Sequence, residues 1–372
     1  MAQLEGVSPD RSAGALAGEA EAGVGVAAEA GVATEVGAGA GARLAPERGV
    51  AAVETRALSK RYGSLQAVHD VSFSVAAGEI FAFLGPNGAG KSTTISMLCT
   101  LLRPSGGAAS VAGFDVARQP EAVRRHIGLV FQEQTLDDHL TAEENLRFHA
   151  VLYHVPAERV AERISRVLEL VALGDRRRDV VSTFSGGMAR RLEIARAMLH
   201  TPAVLFLDEP TVGLDPQTRA LIWDDILRMR EEEGVTVFLT THYMDEADHA
   251  GRVAIIDHGQ IVALDTPDAL RRSVGEDTVE LTTADDAMAE QRLREAGWQV
   301  RRAEGAVVVF TADGESQVAK LIDVVKAPVR NVHVHRPTLD DVFLHYTGRQ
   351  IRDETAESSL SARGRAFHAR RR

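Results

Sequence analysis

From position 52 onwards, apolar and polar residues alternate in a way that predicts strands and helices following one another. The apolar run Ile80–Leu84 has the length of a buried strand and leads directly into a glycine-rich loop. Two more buried-strand runs, 204–207 and 235–239, are separated by a segment with helical spacing at 218–230. This alternation predicts an α/β fold around a mostly parallel central sheet.

Helical spacing also marks the stretch between positions 142 and 173. Its apolar residues would share one buried face: Val160, Ile164, Val167, Leu168 and Val171. We predict that 142–173 is helical and belongs to a helical subdomain at about 135–200. A shorter helix is predicted at 93–102, closed by Pro104.

Changes in composition divide the chain into four segments. Residues 1–50 are mostly Ala, Gly, Glu and Val without an aromatic residue, which predicts a disordered arm. Residues 51–275 carry the α/β pattern. Residues 276–348 predict a small α+β domain with a hairpin turning at 304–305. Residues 349–372 end in arginines, which indicates a mobile basic tail. The tail would either be solvated or contact an anionic surface.

Charge and cysteine content narrow the class of protein. The 372 residues carry a formal net charge of -11, so no nucleic-acid partner is expected. The single cysteine, Cys99, excludes an intrachain disulfide. No stretch approaches the roughly 20 apolar residues of a membrane span, and residues 1–10 lack the features of a secretory signal. We expect a cytoplasmic protein that would need another chain to act across a membrane.

The glycine-rich loop predicts a binding site for MgATP. It fits G-x-x-x-x-G-K-[ST], and its residues are Gly85, Pro86, Asn87, Gly88, Ala89, Gly90, Lys91, Ser92 and Thr93. Glycines let backbone N–H groups surround phosphate oxygens, and the following helix adds its positive end. Lys91 would reach the β- and γ-phosphates, and Ser92 would bind Mg²⁺. A chance glycine turn is the alternative. The preceding strand and following helix favour the phosphate site, as does a lysine here in a chain with only four among 42 basic residues.

Two acids at the end of the strand 204–207 could bind the metal ion and activate water beside the glycine loop. Asp208 is placed to hold Mg²⁺ through its water shell, and Glu209 to polarise the attacking water. Strands that end in two acids are common, so this pair gains weight only from the glycine loop.

A third motif carries a family resemblance. The run Phe184, Ser185, Gly186, Gly187 and Met188 precedes a predicted helix, and a helix start of this kind is an anion site. With this motif the chain resembles the nucleotide-binding domain of an ATP-binding cassette (ABC) ATPase over roughly 53–270. The resemblance implies that Ser185, Gly186 and Gly187 face a γ-phosphate bound by a second copy. Phe184 and Met188 depart from the family's usual Leu and Gln, which puts a polar contact from position 188 in doubt.

The same resemblance assigns roles to four other residues. Tyr62 would stack on adenine, and Gln132 would sense Mg²⁺ and the transport partner. Asp215 would belong to the loop that couples the two sites, although it could equally cap the helix that follows. His242 would contact the γ-phosphate. By itself each of these could be an ordinary surface or loop residue.

The stretch 336–349 resembles the ending of ATP-binding subunits of the daunorubicin-resistance type. That resemblance implies export of a drug or lipid through a separate permease chain. The alternative is an amphipathic helix that closes a small domain, with Leu339, Val342 and Phe343 in its core.

Together these features predict an ATPase subunit of a membrane transporter. Its cofactors would be ATP and Mg²⁺, and its partners an integral membrane permease and a second copy of itself. It would lie on the inner face of the cell membrane. The alternative is a soluble ABC-type mechanical ATPase acting on ribosomes or DNA. One cysteine disfavours the zinc-bearing DNA-repair relatives, and one nucleotide domain disfavours ribosome-acting relatives. A binding module without catalysis is disfavoured because Glu209 and His242 are both present.

Overall fold

The structure is a computed structural model that describes residues 51–303 and 305–348. The predicted disordered arm at 1–50 and the predicted basic tail at 349–372 lie outside the described residues. The strands are β1 Ala51–Tyr62, β2 Leu65–Ala76, β3 Ile80–Leu84, β4 Gly106–Val111, β5 Phe114–Asp115, β6 Ile127–Val130, β7 Val204–Asp208, β8 Thr236–Thr241, β9 Arg252–Asp257, β10 Gln260–Asp265, β11 Asp277–Thr283, β12 Gln299–Ala303, β13 Ala306–Thr311 and β14 Val329–His335. The helices are α1 Lys91–Leu98, α2 Pro120–His126, α3 Ala142–Leu152, α4 Ala157–Leu170, α5 Gly186–Ala197, α6 Pro216–Glu233, α7 Met244–Ala247, α8 Pro267–Val274, α9 Asp286–Glu295, α10 Gly314–Val325 and α11 Leu339–Thr347.

The central sheet has the strand order β10-β9-β3-β8-β7-β6. All neighbours pair in parallel except β9 and β10, which are antiparallel. The prediction of an α/β fold with a mostly parallel sheet is therefore confirmed. Every side chain of β3 is buried, because helices cover one face of the sheet and an antiparallel sheet, together with α1, covers the other.

That antiparallel sheet has the order β2-β1-β4-β5. Its Phe73 stacks on Phe81 of β3 with ring centroids 5.2 Å apart, and Phe238 of β8 lies beside both rings. These aromatic contacts hold β3, the strand that precedes the glycine loop, against the antiparallel sheet.

Two of the predicted helices are corrected. The stretch 142–173, predicted to be helical, contains two helices, α3 and α4, and residues 153–156 between them are not helical. Pro156 stands at the N-cap of α4, and because proline has no N–H it cannot continue the helix that precedes it. The helix predicted at 93–102 begins earlier, at Lys91, and ends at Leu98, where the N–H groups of Leu101 and Leu102 turn back to Ser96 O.

The C-terminal strands form an antiparallel sheet of order β12-β13-β11-β14, on which α9 and α10 pack. The predicted hairpin is confirmed, since Ala303 of β12 pairs with Ala306 of β13. Helix α11 behaves differently. Its apolar side chains belong to the core on the helical side of the central sheet, and Tyr346 Oη donates to Ser273 Oγ of α8 at 3.1 Å. Across the described ranges, no helix combines the length and the apolar character needed for a bilayer span.

Candidate nucleotide site

Four of the predicted site segments meet at one edge of the central sheet. The glycine loop follows β3, Gln132 follows β6, Asp208 ends β7 and His242 follows β8. Because these strands are parallel neighbours, their carboxyl ends lie together, which is where open α/β sheets bind ligands. Gly85 N donates to Thr241 O at 3.2 Å and so ties the loop to the end of β8.

Two glycines of the loop are required by close contact. A Cβ on Gly85 would lie 2.4 Å from Ile256 O, and a Cβ on Gly90 would lie 2.6 Å from Ala67 O. Gly90 also has a φ of +107°, which side chains rarely adopt, and it is the N-cap of α1. The motif's glycines are therefore needed to bring the loop onto the sheet.

Lys91 is 4% exposed and its ammonium lies inside the loop. Its Nζ donates to Gly85 O at 2.8 Å and to Pro86 O at 3.2 Å, and it is 3.1 Å from Glu209 Oε1. A compact ammonium with three donors suits this position better than a planar guanidinium would.

Asp208 is buried beneath the loop. Ser92 Oγ donates to Asp208 Oδ1 at 3.3 Å, and Thr240 Oγ1 donates to the same carboxylate oxygen. A hydroxyl and a carboxylate side by side provide the oxygen ligands that Mg²⁺ prefers. The residues present therefore fit the metal ion that the sequence predicts.

Glu209 is 6% exposed and lies between Lys91 and His242. Its Oε2 is 3.4 Å from His242 Nδ1. Burial pushes the pKa of Glu209 up, but the hydrogen bond with His242 and the charge of Lys91 outweigh it, so the pKa is lowered. Glu209 also has a φ of +46°, an uncommon backbone geometry that often marks functional positions.

These residues border a cleft of about 890 Å³, a volume suited to a nucleotide. The predicted residues that line it are Tyr62, Asn87, Gly88, Gly90, Lys91, Ser92, Thr93, Gln132, Glu209 and His242. Tyr62 is 44% exposed, with Lys60 Nζ 5.3 Å from its ring centroid, and its exposed part is suited to a stacked base. Gly85, Pro86, Ala89 and Asp208 are not among the lining residues. Gly85 and Pro86 are hydrogen-bonded to Lys91, and Asp208 is hydrogen-bonded to Ser92, so all three lie next to residues that line the cleft.

Ser185, Gly186, Gly187 and Asp215 are also not among the residues that line the cleft. Ser185 caps α5, and its Oγ accepts from Met188 N at 3.2 Å. Asp215 caps α6 and accepts a hydrogen bond from Thr218 N at 3.0 Å, as the second interpretation of this residue predicted. A Cβ on Gly187 would lie 2.2 Å from Thr218 Cγ2, so the two helix starts pack against each other.

Comparison with known proteins identifies this arrangement. The ABC transporter family model matches residues 68–212, and that of the ATP-binding protein DrrA1-3-like, C-terminal domain, matches 266–347. The chain is 40% identical over 330 residues to the daunorubicin resistance ATP-binding protein DrrA2 of Streptomyces coeruleorubidus, covering 83% of this chain and 98% of the relative. It belongs to the ABC transporter ATP-binding proteins.

One other relative matches most of the chain, and two solved structures match a smaller part of it. The Nod factor export ATP-binding protein I of Burkholderia orbicola is 37% identical over 307 residues, covering 82% of this chain and 99% of the relative. A solved ATP-binding subunit of an ABC transporter superposes with a TM-score of 0.53 at 33% identity, covering 59% of this chain and 92% of that one. A dimeric ATP-binding cassette bound to ADP and Pi gives 0.52 at 26% identity, covering 57% and 98%.

These matches confirm the predicted family and an ATPase activity coupled to transport. ABC ATPases bind ATP and ADP, which fits the cleft. The alternative, a mechanical ATPase acting on ribosomes or DNA, finds no support among these relatives.

The two departures from the ABC motif have a structural explanation. Phe184 and Met188 are both partly buried and pack against the core on the helical side of the sheet. Position 188 is therefore an apolar contact here and does not need an amide.

Sequence reasoning missed one residue that organises the site. Thr240 is fully buried, its hydroxyl donates to Asp208, and it accepts from Glu209 N at 3.1 Å. The available signal was its place at the end of a buried strand, two residues before His242.

Proposed function

We propose that this chain hydrolyses MgATP in the cleft and thereby drives export of a drug-like or lipid-like molecule through a separate membrane permease. The observation that carries the proposal is the buried set of Lys91, Glu209 and His242 beside Ser92 and Asp208. A carboxylate kept ionised next to a phosphate-binding lysine is what activation of a water molecule requires.

Each residue of the cleft then has a task. Tyr62 stacks on the adenine, and Lys91 with the N–H groups of the glycine loop binds the β- and γ-phosphates. Ser92, Asp208 and Gln132 would hold Mg²⁺, which neutralises phosphate charge when it is bound. Glu209 accepts a proton from the attacking water, and His242 orients Glu209 and the γ-phosphate.

A second copy of the chain would complete each site. Ser185 to Gly187 form a capped helix start, suited to an anion, that does not border the cleft of its own chain. We propose that this helix start faces the γ-phosphate bound by the partner, and that Asp215 belongs to the loop between the two sites. A solved ATP-binding cassette that is dimeric and bound to ADP and Pi supports the pairing of two copies.

The surface of α3 supports a permease partner. Phe148, Val151 and Leu152 are 58%, 68% and 55% exposed, which is unusual for large apolar side chains grouped on one short helix. We propose that this surface contacts the permease and holds the chain on the inner face of the cell membrane. The names of two relatives, one for resistance to daunorubicin and one for Nod factor export, support export of a drug-like or lipid-like molecule.

We also propose that the segment limits derived from composition, 51–275 and 276–348, are the limits of the ATP-binding and C-terminal domains. A separate cluster of buried residues from β11, β13, α9 and α10 supports this division, while α11 at the end of the second segment packs back onto the core of the first.

Co-expression tests the function directly. The chain should co-purify with a polytopic membrane protein, and its ATP hydrolysis should respond to that partner. Phe148→Glu should reduce co-purification while leaving ATP binding by the isolated chain unchanged. Leu221→Glu on α6, another exposed apolar position at 43%, is the matched control. Co-purification with ribosomes or DNA would contradict the proposal.

A further inference from the structure

Helix α5 carries a buried arginine that no role described so far accounts for. Arg190 is only 7% exposed, and a guanidinium has five N–H donors. All five have an acceptor. The acceptors are Pro210 O at 2.7 Å, Phe131 O, Glu193 Oε2 at 3.1 Å, Asp208 O at 3.2 Å and Glu209 O at 3.4 Å.

The acceptors of Arg190 come from separate parts of the site. Phe131 directly precedes Gln132, while Asp208 and Glu209 carry the acids of the cleft. Arg190 itself lies three residues after Gly187, on the helix that Ser185 caps. One side chain therefore joins the helix of the ABC motif to two segments of the nucleotide cleft.

The same helix holds the far end of the Gln132 segment. Glu193 Oε1 accepts from Thr135 N at 2.6 Å, and Arg196 Nη1 donates to Thr135 O at 2.8 Å. Together with the bond from Arg190 to Phe131 O, these contacts fix both flanks of Gln132 to α5. A shift of α5 would therefore move Gln132 with it.

We infer that Arg190 is a positioning residue for ATP hydrolysis, which aligns Gln132 and Glu209 with the helix that completes the site of the second copy. This inference rests on the proposed function, because it assumes that Ser185 to Gly187 act on the partner's nucleotide. Arg190 does not line the cleft, so it acts through the backbone of its neighbours and leaves nucleotide contacts in place. The rigid planar fork of arginine can bridge these acceptors, whereas the three donors of a lysine cannot satisfy all five.

The test compares Arg190→Met and Arg190→Lys with Arg191→Met. Arg191 is the matched control because it is the next residue on the same helix and pairs with the buried Asp225, at 2.6 Å, away from the cleft. Both Met variants leave a buried acceptor without its cation, so their melting temperatures should fall together. Binding of a fluorescent ATP analogue, kcat, KM and melting temperature are measured for all three and for the unchanged chain.

The expected result is a split between kcat and KM. Arg190→Met should lower kcat by about a hundredfold, as a small misplacement of catalytic groups does, with KM and analogue affinity within about threefold. Arg190→Lys should lower kcat by about tenfold, because lysine keeps the charge but cannot make all five hydrogen bonds, and Arg191→Met should keep kcat within about threefold. If Arg190→Met does not fold, the same comparison is made with Arg190→Lys.

Two results would overturn the inference. One is a kcat for Arg190→Lys or Arg190→Met that matches Arg191→Met, and the other is a loss confined to analogue affinity. Failure of the proposed composite site looks different, because Ser185→Arg would then keep the kcat of the unchanged chain.

Discussion

Lys91 Nζ lies 3.1 Å from Glu209 Oε1, and both side chains are buried. The ammonium has three donors, and its neighbours are Gly85 O, Pro86 O and this carboxylate. A phosphate that binds Lys91 must therefore compete with Glu209 for the ammonium. Nucleotide binding would therefore free the Glu209 carboxylate from Lys91, so that it can act on water.

Replacing Glu209 by Gln should separate binding from hydrolysis. Hydrolysis should fall by about 10²-fold or more, because an amide cannot accept the proton of the attacking water. ATP should bind at least as tightly as before, since the competing negative charge beside Lys91 is gone. Size-exclusion chromatography with ATP should then show a stable dimer. An unaltered hydrolysis rate would remove Glu209 from the catalytic role.

Replacing Lys91 by Ala should abolish nucleotide binding. The change removes the charge that would pair with the phosphates and leaves Glu209 without its buried cation, which costs about 3–5 kcal/mol of folding stability. Equilibrium binding of a fluorescent ATP analogue measures the effect. Lys320→Ala is the control, because Lys320 lies on α10, where its Nζ is 5.3 Å from the ring centroid of Trp298, and it does not line the cleft. Retained affinity in the Lys91 variant would contradict the assignment of the phosphate loop.

Stability should depend on pH through Glu246. This residue is 1% exposed, its Oε1 accepts from Thr211 Oγ1, and burial raises its pKa to about 7. A carboxyl whose pKa is raised in the folded state favours folding below its unfolded value, near 4.5, and that contribution is lost as pH rises through 7. The loss is about 3 kcal/mol at pH 8.

Glu246→Gln removes this titration. Relative to the unchanged chain, the variant's free energy of unfolding should therefore rise by about 3 kcal/mol between pH 4.5 and pH 8. Urea denaturation at several pH values measures the difference, and groups common to both chains cancel. A constant difference across that range would show that Glu246 does not titrate there.

Local patterns in the sequence predicted the parts of this site that depend on short-range order. The strand Ile80–Leu84, the loop with Lys91 and the acids at 208 and 209 could all be placed, because buried runs and fixed spacings are properties of neighbouring residues. Contacts between segments that are distant in sequence could not be predicted in this way. Nothing in the helical spacing of α5 shows that Arg190 would be buried against Phe131 and Pro210, since an arginine in a helix is usually exposed.

The packing of α11 makes the same point at the level of domains. Leu339, Val342 and Phe343 have the spacing of a buried helical face, and the structure does bury them. Spacing alone cannot say which core receives that face. Contacts with the core on the helical side of the central sheet decide it, and they join residues far apart in sequence.

A composite site can be tested by mixing two inactive variants. Lys91→Ala has a defective phosphate loop with an intact Ser185, and Ser185→Arg has an intact loop with its anion site filled. A mixed dimer holds one intact site, formed by the loop of one copy and the helix start of the other. An equal mixture should therefore recover up to about a quarter of the unchanged chain's activity, because half of the dimers are mixed and each has one of two sites. In the control mixture Ser185→Arg is combined with a chain that carries both changes, so no intact site can form and no activity should return. Activity in the test mixture equal to that of the control would mean that Ser185 does not act on the partner's nucleotide.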